Sequence, residues 1–187
     1  MSRSVMDNDW LLLAYSVPAE PSRKRVAVWR RLRKLGAVYL DEGVWLLPQT
    51  QALAEAVRDV VSEVQHHGGR ASAFLASGLD PEQKEDLRTR FNQAREREYE
   101  ELLRMGQRFL DHIQREIEEQ RFEFARVEEL EEDLEKRWRW LAQIKERDIF
   151  EVEQRHTTEQ LLQECQASLE RFIEQAYESE GSASSEA

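Results

Sequence analysis

The first uninterrupted apolar run, Trp10-Leu11-Leu12-Leu13-Ala14-Tyr15, is closed by Ser16-Val17-Pro18. It reads as a buried central strand followed by a turn. After Pro21, the segment Ser22 to Leu35 sets Val26, Trp29, Leu32 and Leu35 on one stripe, which predicts an amphipathic helix stopped by Gly36. Ala37 to Leu40 and Val44 to Leu47 flank Asp41-Glu42-Gly43, where Gly43 can supply the positive φ of a tight hairpin. Thr50 then offers an N-cap to a second helix, whose Leu53, Val57, Val60, Val61 and Val64 form a clean apolar face. His66-His67-Gly68-Gly69 ends it, with the imidazoles expected to meet carbonyl groups at the helix end, and Arg70 to Ser77 supplies a last strand. The order β-α-β-β-α-β is the split pattern of ferredoxin-like folds, with two helices on one face of a four-stranded antiparallel sheet. The expected class is therefore α+β, with this domain over residues 1–79 followed by an antiparallel helical hairpin or bundle.

From Asp80 the apolar spacing becomes purely helical. Asp80-Pro81-Glu82-Gln83 carries an N-cap, a first-turn proline and a glutamine three residues after the cap. Leu87, Phe91, Ala94, Leu102, Leu103, Leu110, Ile113 and Ile117 then extend one helix to about Glu119. Val127, Leu130, Leu134, Trp138, Leu141 and Ile144 predict a second. Thr157-Thr158-Glu159-Gln160 reads as a capping box for a third, with Leu161, Leu162, Cys165, Leu169, Phe172, Ile173 and Ala176 on its stripe. Three such stripes over residues 80–178 must pack on each other or on a second chain. The last residues, 179–187, are expected to be disordered.

Charge sharpens this division. Residues 1 to 80 hold 10 Lys+Arg against 9 Asp+Glu, net +1, while residues 81 to 187 hold 17 against 29, net −12. No apolar run reaches the length of a membrane span and no basic leader precedes the first strand, so no membrane partner is expected and the cytoplasm is the predicted location. The single cysteine, Cys165, forms no internal disulfide, and its place on an apolar stripe predicts packing. Neither a metal-ligand spacing, a glycine-rich phosphate loop nor a nucleophile motif is present, so no metal, no cofactor and no catalytic residue is predicted. Trp29 and Trp45 are expected to fill the small core. Trp138 and Trp140 stand two apart on a helix, so one of them is expected to be exposed or to meet a partner.

The first helix carries the strongest functional signal. Seven Lys+Arg and no acid lie between Arg23 and Lys34. Basic residues at the amino end oppose the helix dipole, and an anion held there by backbone N–H groups and Ser22 relieves that cost. The candidate nucleic-acid or anion contacts are Ser22, Arg23, Lys24, Arg30, Arg31 and Lys34. The plainer alternative is a solvated face balanced by the acids of the helical extension.

The stretch WLLLAYSVPAEPSRKRVAVWRRLRKLGAVYLDEGVWLLP, Trp10 to Pro48, resembles the N-terminal domain of the chromate resistance protein ChrB family. RFNQAREREYEELL (Arg90 to Leu103), FEFARVEELEEDLEKRWRWLAQIKERDIF (Phe122 to Phe150) and the last helix resemble the helical part of the same module. The resemblance implies a chromate-responsive regulator of a chromate efflux transporter, with this module as its DNA-contacting part. Full-length members of that family carry a further C-terminal domain, so the resemblance implies either a stand-alone relative or one half of a split protein, with a separate C-terminal domain protein as its partner. A more distant likeness, to the small CRISPR adaptation endonuclease and the C-terminal domain of the repressor PaaX, implies a homodimer. That endonuclease ends its first strand in Tyr-Asp, whereas this one ends Tyr15-Ser16, without a metal-binding carboxylate. Three roles follow: a DNA-binding regulator, a protein–protein interaction module, and a binder of chromate or another oxyanion at Ser22 to Arg25. A metal-dependent nuclease is the least supported.

Overall fold

The computed structural model describes residues 10–183. The sequence extremes, including residues 184–187 of the tail expected to be disordered, lie outside the described residues. The elements run β1 (Trp10–Ser16), α1 (Ser22–Lys34), β2 (Val38–Asp41), β3 (Val44–Pro48), α2 (Gln51–His66), β4 (Arg70–Ala76), α3 (Pro81–Glu118), α4 (Phe124–Arg147) and α5 (Gln154–Ala183). The helical path of α5 thus continues past Ser179, where order was expected to end.

The chain forms two compact units, residues 1–94 and 95–187. The first is a four-stranded sheet in the order β2-β3-β1-β4 with every neighbouring pair antiparallel, which is the ferredoxin-like arrangement. Strand alternation sends Leu11 and Leu13 of β1, with Trp45 and Leu47 of β3, toward the helical layer. There they meet Val28 and Leu32 of α1 and Val57, Val60 and Val64 of α2, all buried. Burying each such aliphatic side chain is worth about 1.5–3 kcal/mol relative to exposure. Trp10 points to the other face and packs on Phe91 of α3, ring centroids 5.9 Å apart.

Local chemistry places these elements. Thr50 caps α2, its Oγ1 accepting from the Leu53 N–H at 3.1 Å, a bond worth about 1 kcal/mol. Asp80 accepts from the Gln83 N–H at 2.9 Å to start α3. Gly36, at φ 79°, ends α1.

In the second unit the remainder of α3 packs with α4 and α5 around Tyr99, Leu102, Phe109, Leu134, Leu141, Leu162 and Phe172. Gly106 allows α3 and α5 to meet: a Cβ there would lie 2.8 Å from Leu161 Cδ2. The Cys165 thiol, fully buried, donates to the Gly106 carbonyl at 3.4 Å, and burial pushes its pKa up to about 11.

Two expectations change here. Thr158 is not part of a capping box. Helix α5 begins three residues before Thr157, and the buried Thr158 hydroxyl donates to the Gln154 carbonyl at 2.7 Å inside the first turns. Nor is either tryptophan of α4 exposed. Buried Arg137 occupies the seam, and Trp138 and Trp140 sit half-buried on its two flanks against the core.

Candidate nucleic-acid interface

Helix α1 starts after Pro21, which provides no side-chain cap, and its first turn contains no acid. Its opening positions hold Arg23, Lys24 and Arg25, where the dipole disfavours positive charge, while Arg31, Arg33 and Lys34 lie in the last turn, where the dipole favours it. Ser22 is the first helical residue, exposed and without a capping bond. Arg23, Arg30 and Lys34 are exposed and Lys24 is half-buried.

Arg31 differs from the rest. Its guanidinium reaches Glu63 Oε2 at 2.7 Å and Asp59 Oδ2 at 3.4 Å, both on α2. The acids that answer it come from the small domain rather than from the helical extension. Among the described residues the other six cations of α1 have no carboxylate within ion-pairing distance. The basic character of the face is thus set by Arg23, Lys24, Arg25, Arg30, Arg33 and Lys34.

The predicted core stripe of α1 is rotated. Val28 and Leu32 are buried, whereas Val26 and Trp29 are 39% and 48% exposed. Position 29 lies about 100° around the helix from 28, so only one of the two neighbours can face the sheet. The valine does, and the indole is left at the side. Trp45, the other tryptophan assigned to the core, is 3% exposed.

That rotation creates a second feature. Arg25, Trp29 and Arg33 stand at i, i+4 and i+8, one stripe of α1, and all three line a cavity of about 610 Å³. Across the opening stand Tyr15 at the end of β1 and the cross-strand pair Tyr39 and Trp45, whose rings meet edge to face at 5.3 Å. The β2–β3 turn fixes this wall. Glu42 and Gly43 have φ of 25° and 84°, both positive, as a two-residue hairpin turn with matching twist requires. The Gly43 carbonyl accepts from the Tyr15 N–H at 3.1 Å, and a Cβ at Gly43 would lie 2.6 Å from the Tyr15 carbonyl oxygen. Burial raises the Tyr15 pKa above its ordinary value, more than the Trp45 N–H and Arg25 lower it. The buried Trp45 N–H completes no hydrogen bond of good geometry among the described residues.

With Trp29 assigned to the core, Arg33 falls outside the contacts expected from the sequence, and Arg25 enters only as the end of the Ser22 to Arg25 oxyanion segment. The spacing that could have found them is the arginine-tryptophan-arginine repeat at every fourth residue. Among the described residues, no group of three or more His, Cys, Asp or Glu is placed to hold a metal ion, and no helix is long and apolar enough to cross a membrane.

The fold and this face together define a ferredoxin-like α+β module with a cation-rich first helix and a three-helix unit. The family described as "Protein ChrB, N-terminal" matches residues 25–183, and the chain belongs to that family. It is similar to Protein ChrB of Cupriavidus metallidurans, with 30% identity over 87 residues, or 46% of this chain and 27% of that protein. The matched stretch thus spans about a quarter of that relative's length.

Proposed function

We propose that the chain is a non-catalytic DNA-binding regulatory module of chromate resistance that grips the phosphate backbone with the cations of α1. The observation that carries this reading is the unneutralised face: Arg23, Lys24, Arg30 and Lys34 have no acidic partner among the described residues. A clustered positive field of this kind attracts a polyanion and releases its condensed counterions. Membership of the ChrB family supports the association with chromate resistance. Arg31 is assigned a structural part in this reading, since Glu63 and Asp59 already engage it. A homodimer would present two such helices to one duplex.

The test is duplex binding to the DNA upstream of a neighbouring chromate transporter gene, measured across salt concentrations. The log of the affinity is expected to fall linearly with log salt, with a slope near −0.9 for each phosphate contacted. Replacing Arg23, Lys24, Arg30 and Lys34 together by Glu is expected to abolish retention at low salt while leaving circular dichroism unchanged. A flat salt response, or wild-type binding by the charge-reversed protein, would sink the proposal.

A further inference from the structure

We propose that the cavity between α1 and the β2–β3 hairpin is a nucleotide site, taking a nucleoside phosphate with its base against Trp29 and Tyr39 and its phosphate on Arg25 and Arg33. This goes beyond the duplex-binding reading and does not depend on it: a duplex needs only the outer cations of α1, whereas this site needs the aromatic walls.

Three observations carry the assignment. The first is size: about 610 Å³ falls within the roughly 300–1,000 Å³ of small-molecule sites. A bare tetrahedral oxyanion takes only a few water volumes of about 30 Å³ each and would leave most of the space unfilled. The second is the lining. Trp29 and Tyr39 keep 48% and 53% of their surface exposed although both border a concave site. Planar rings held open in this way suit stacking by a flat partner, and every nucleobase offers such a face. The third is the polar pattern. Two arginines on one helical stripe line the cavity with no acidic partner among the described residues, and the planar donor fork of each guanidinium matches phosphate oxygens. The buried Trp45 indole borders the cavity and packs edge to face on Tyr39, a contact that supports that ring. Glu42 at the hairpin turn, the acid that lines the cavity, would accept from a sugar hydroxyl. An aliphatic anion would use the arginines and waste the rings. An uncharged aromatic would do the reverse.

The chemistry is the same for a free nucleotide and for one unit of a single strand, so the experiment separates these sources. Calorimetric titration of the full chain would use 5′-dAMP, deoxyadenosine, inorganic phosphate and a short single-stranded oligodeoxyadenylate. The expected result is binding of dAMP, with deoxyadenosine and phosphate each weaker by about tenfold or more, since each supplies only one half of the recognition. Trp29→Ala, and separately Arg25→Ala with Arg33→Ala, are expected to weaken dAMP by about tenfold or more. All three positions are exposed, so circular dichroism should remain unchanged. An oligodeoxyadenylate that binds well above dAMP assigns the site to single strands, and equal affinities assign it to free nucleotide. Heat from neither dAMP nor the oligomer at millimolar concentration would overturn the proposal. Affinities untouched by Trp29→Ala would overturn it as well.

Discussion

Tyr99 shows how a single buried polar pair is tied into an apolar core. Its hydroxyl donates to Asp148 Oδ2 at 3.0 Å, and the other carboxylate oxygen accepts from the Val152 N–H at 3.3 Å. Both side chains are almost fully buried. Burial, and then the neighbouring Asp148 charge, push the Tyr99 phenol well above its ordinary range, so it stays protonated as a donor. Tyr99→Phe keeps the ring and removes the donor, leaving a buried carboxylate oxygen without it. The expected cost is about 1–3 kcal/mol, read by urea denaturation. In an Asp148→Ala background the same substitution should cost much less, because the acceptor is already gone. Arg137 is the cationic counterpart. It donates to the Asp133 carbonyl at 2.7 Å, pairs with the Asp133 carboxylate at 2.8 Å and lies 5.0 Å over the Phe109 ring. Its satisfied donors explain how a guanidinium can replace a leucine in a helical seam.

Among the elements, the ends of helices were the most and the least readable parts of the chain. Thr50 and Asp80 marked true starts because each side chain finds the backbone N–H that its position demands. Thr157-Thr158-Glu159-Gln160 has the same letters and misled. Burial of Thr158 against the core turned its hydroxyl to the preceding turn, a tertiary effect that a local motif does not contain. The order of strands followed from alternation and turn residues, whereas the rotation of α1 did not. Val28 and Trp29 are both apolar, and the choice between them depends on what the sheet can accommodate. The residues of the nucleotide cavity were hidden by that one ambiguity. The end of α3 falls at Glu118, beside the Glu119 that its apolar spacing predicts, but no glycine announces the cap that closes it. Gln120 stands at φ 54°, with the Gln120 N–H bonding the Ile117 carbonyl and the Arg121 N–H bonding the Glu116 carbonyl. This is a left-handed helix cap built on a residue with a Cβ. Gln120→Gly removes that conformational penalty and is expected to raise stability by about 1 kcal/mol, visible as a higher thermal midpoint. A midpoint that falls would contradict this account of the cap.

For the molecule as a whole, charge is partitioned by unit. Residues 1–94 hold 13 Lys+Arg against 12 Asp+Glu, while residues 95–187 hold 14 against 26. An anionic ligand is repelled by the acidic helical unit and attracted at one helix of the other unit, which favours a defined contact over indiscriminate adhesion to polyanions. The rotation of α1 gives this field a built-in reporter. Of the five indoles, Trp10 and Trp45 are buried and Trp138 and Trp140 half-buried, so the long-wavelength edge of the emission belongs chiefly to Trp29. That ring lies on the same helix as six cations that have no carboxylate partner among the described residues, and exposed charges act on small ions within about 10 Å at 0.1 M salt. Iodide should therefore quench the red edge more strongly than caesium does, and added chloride should bring the two closer together. The indole that the core left outside makes the electrostatic potential of this helix measurable with a fluorimeter and two salts.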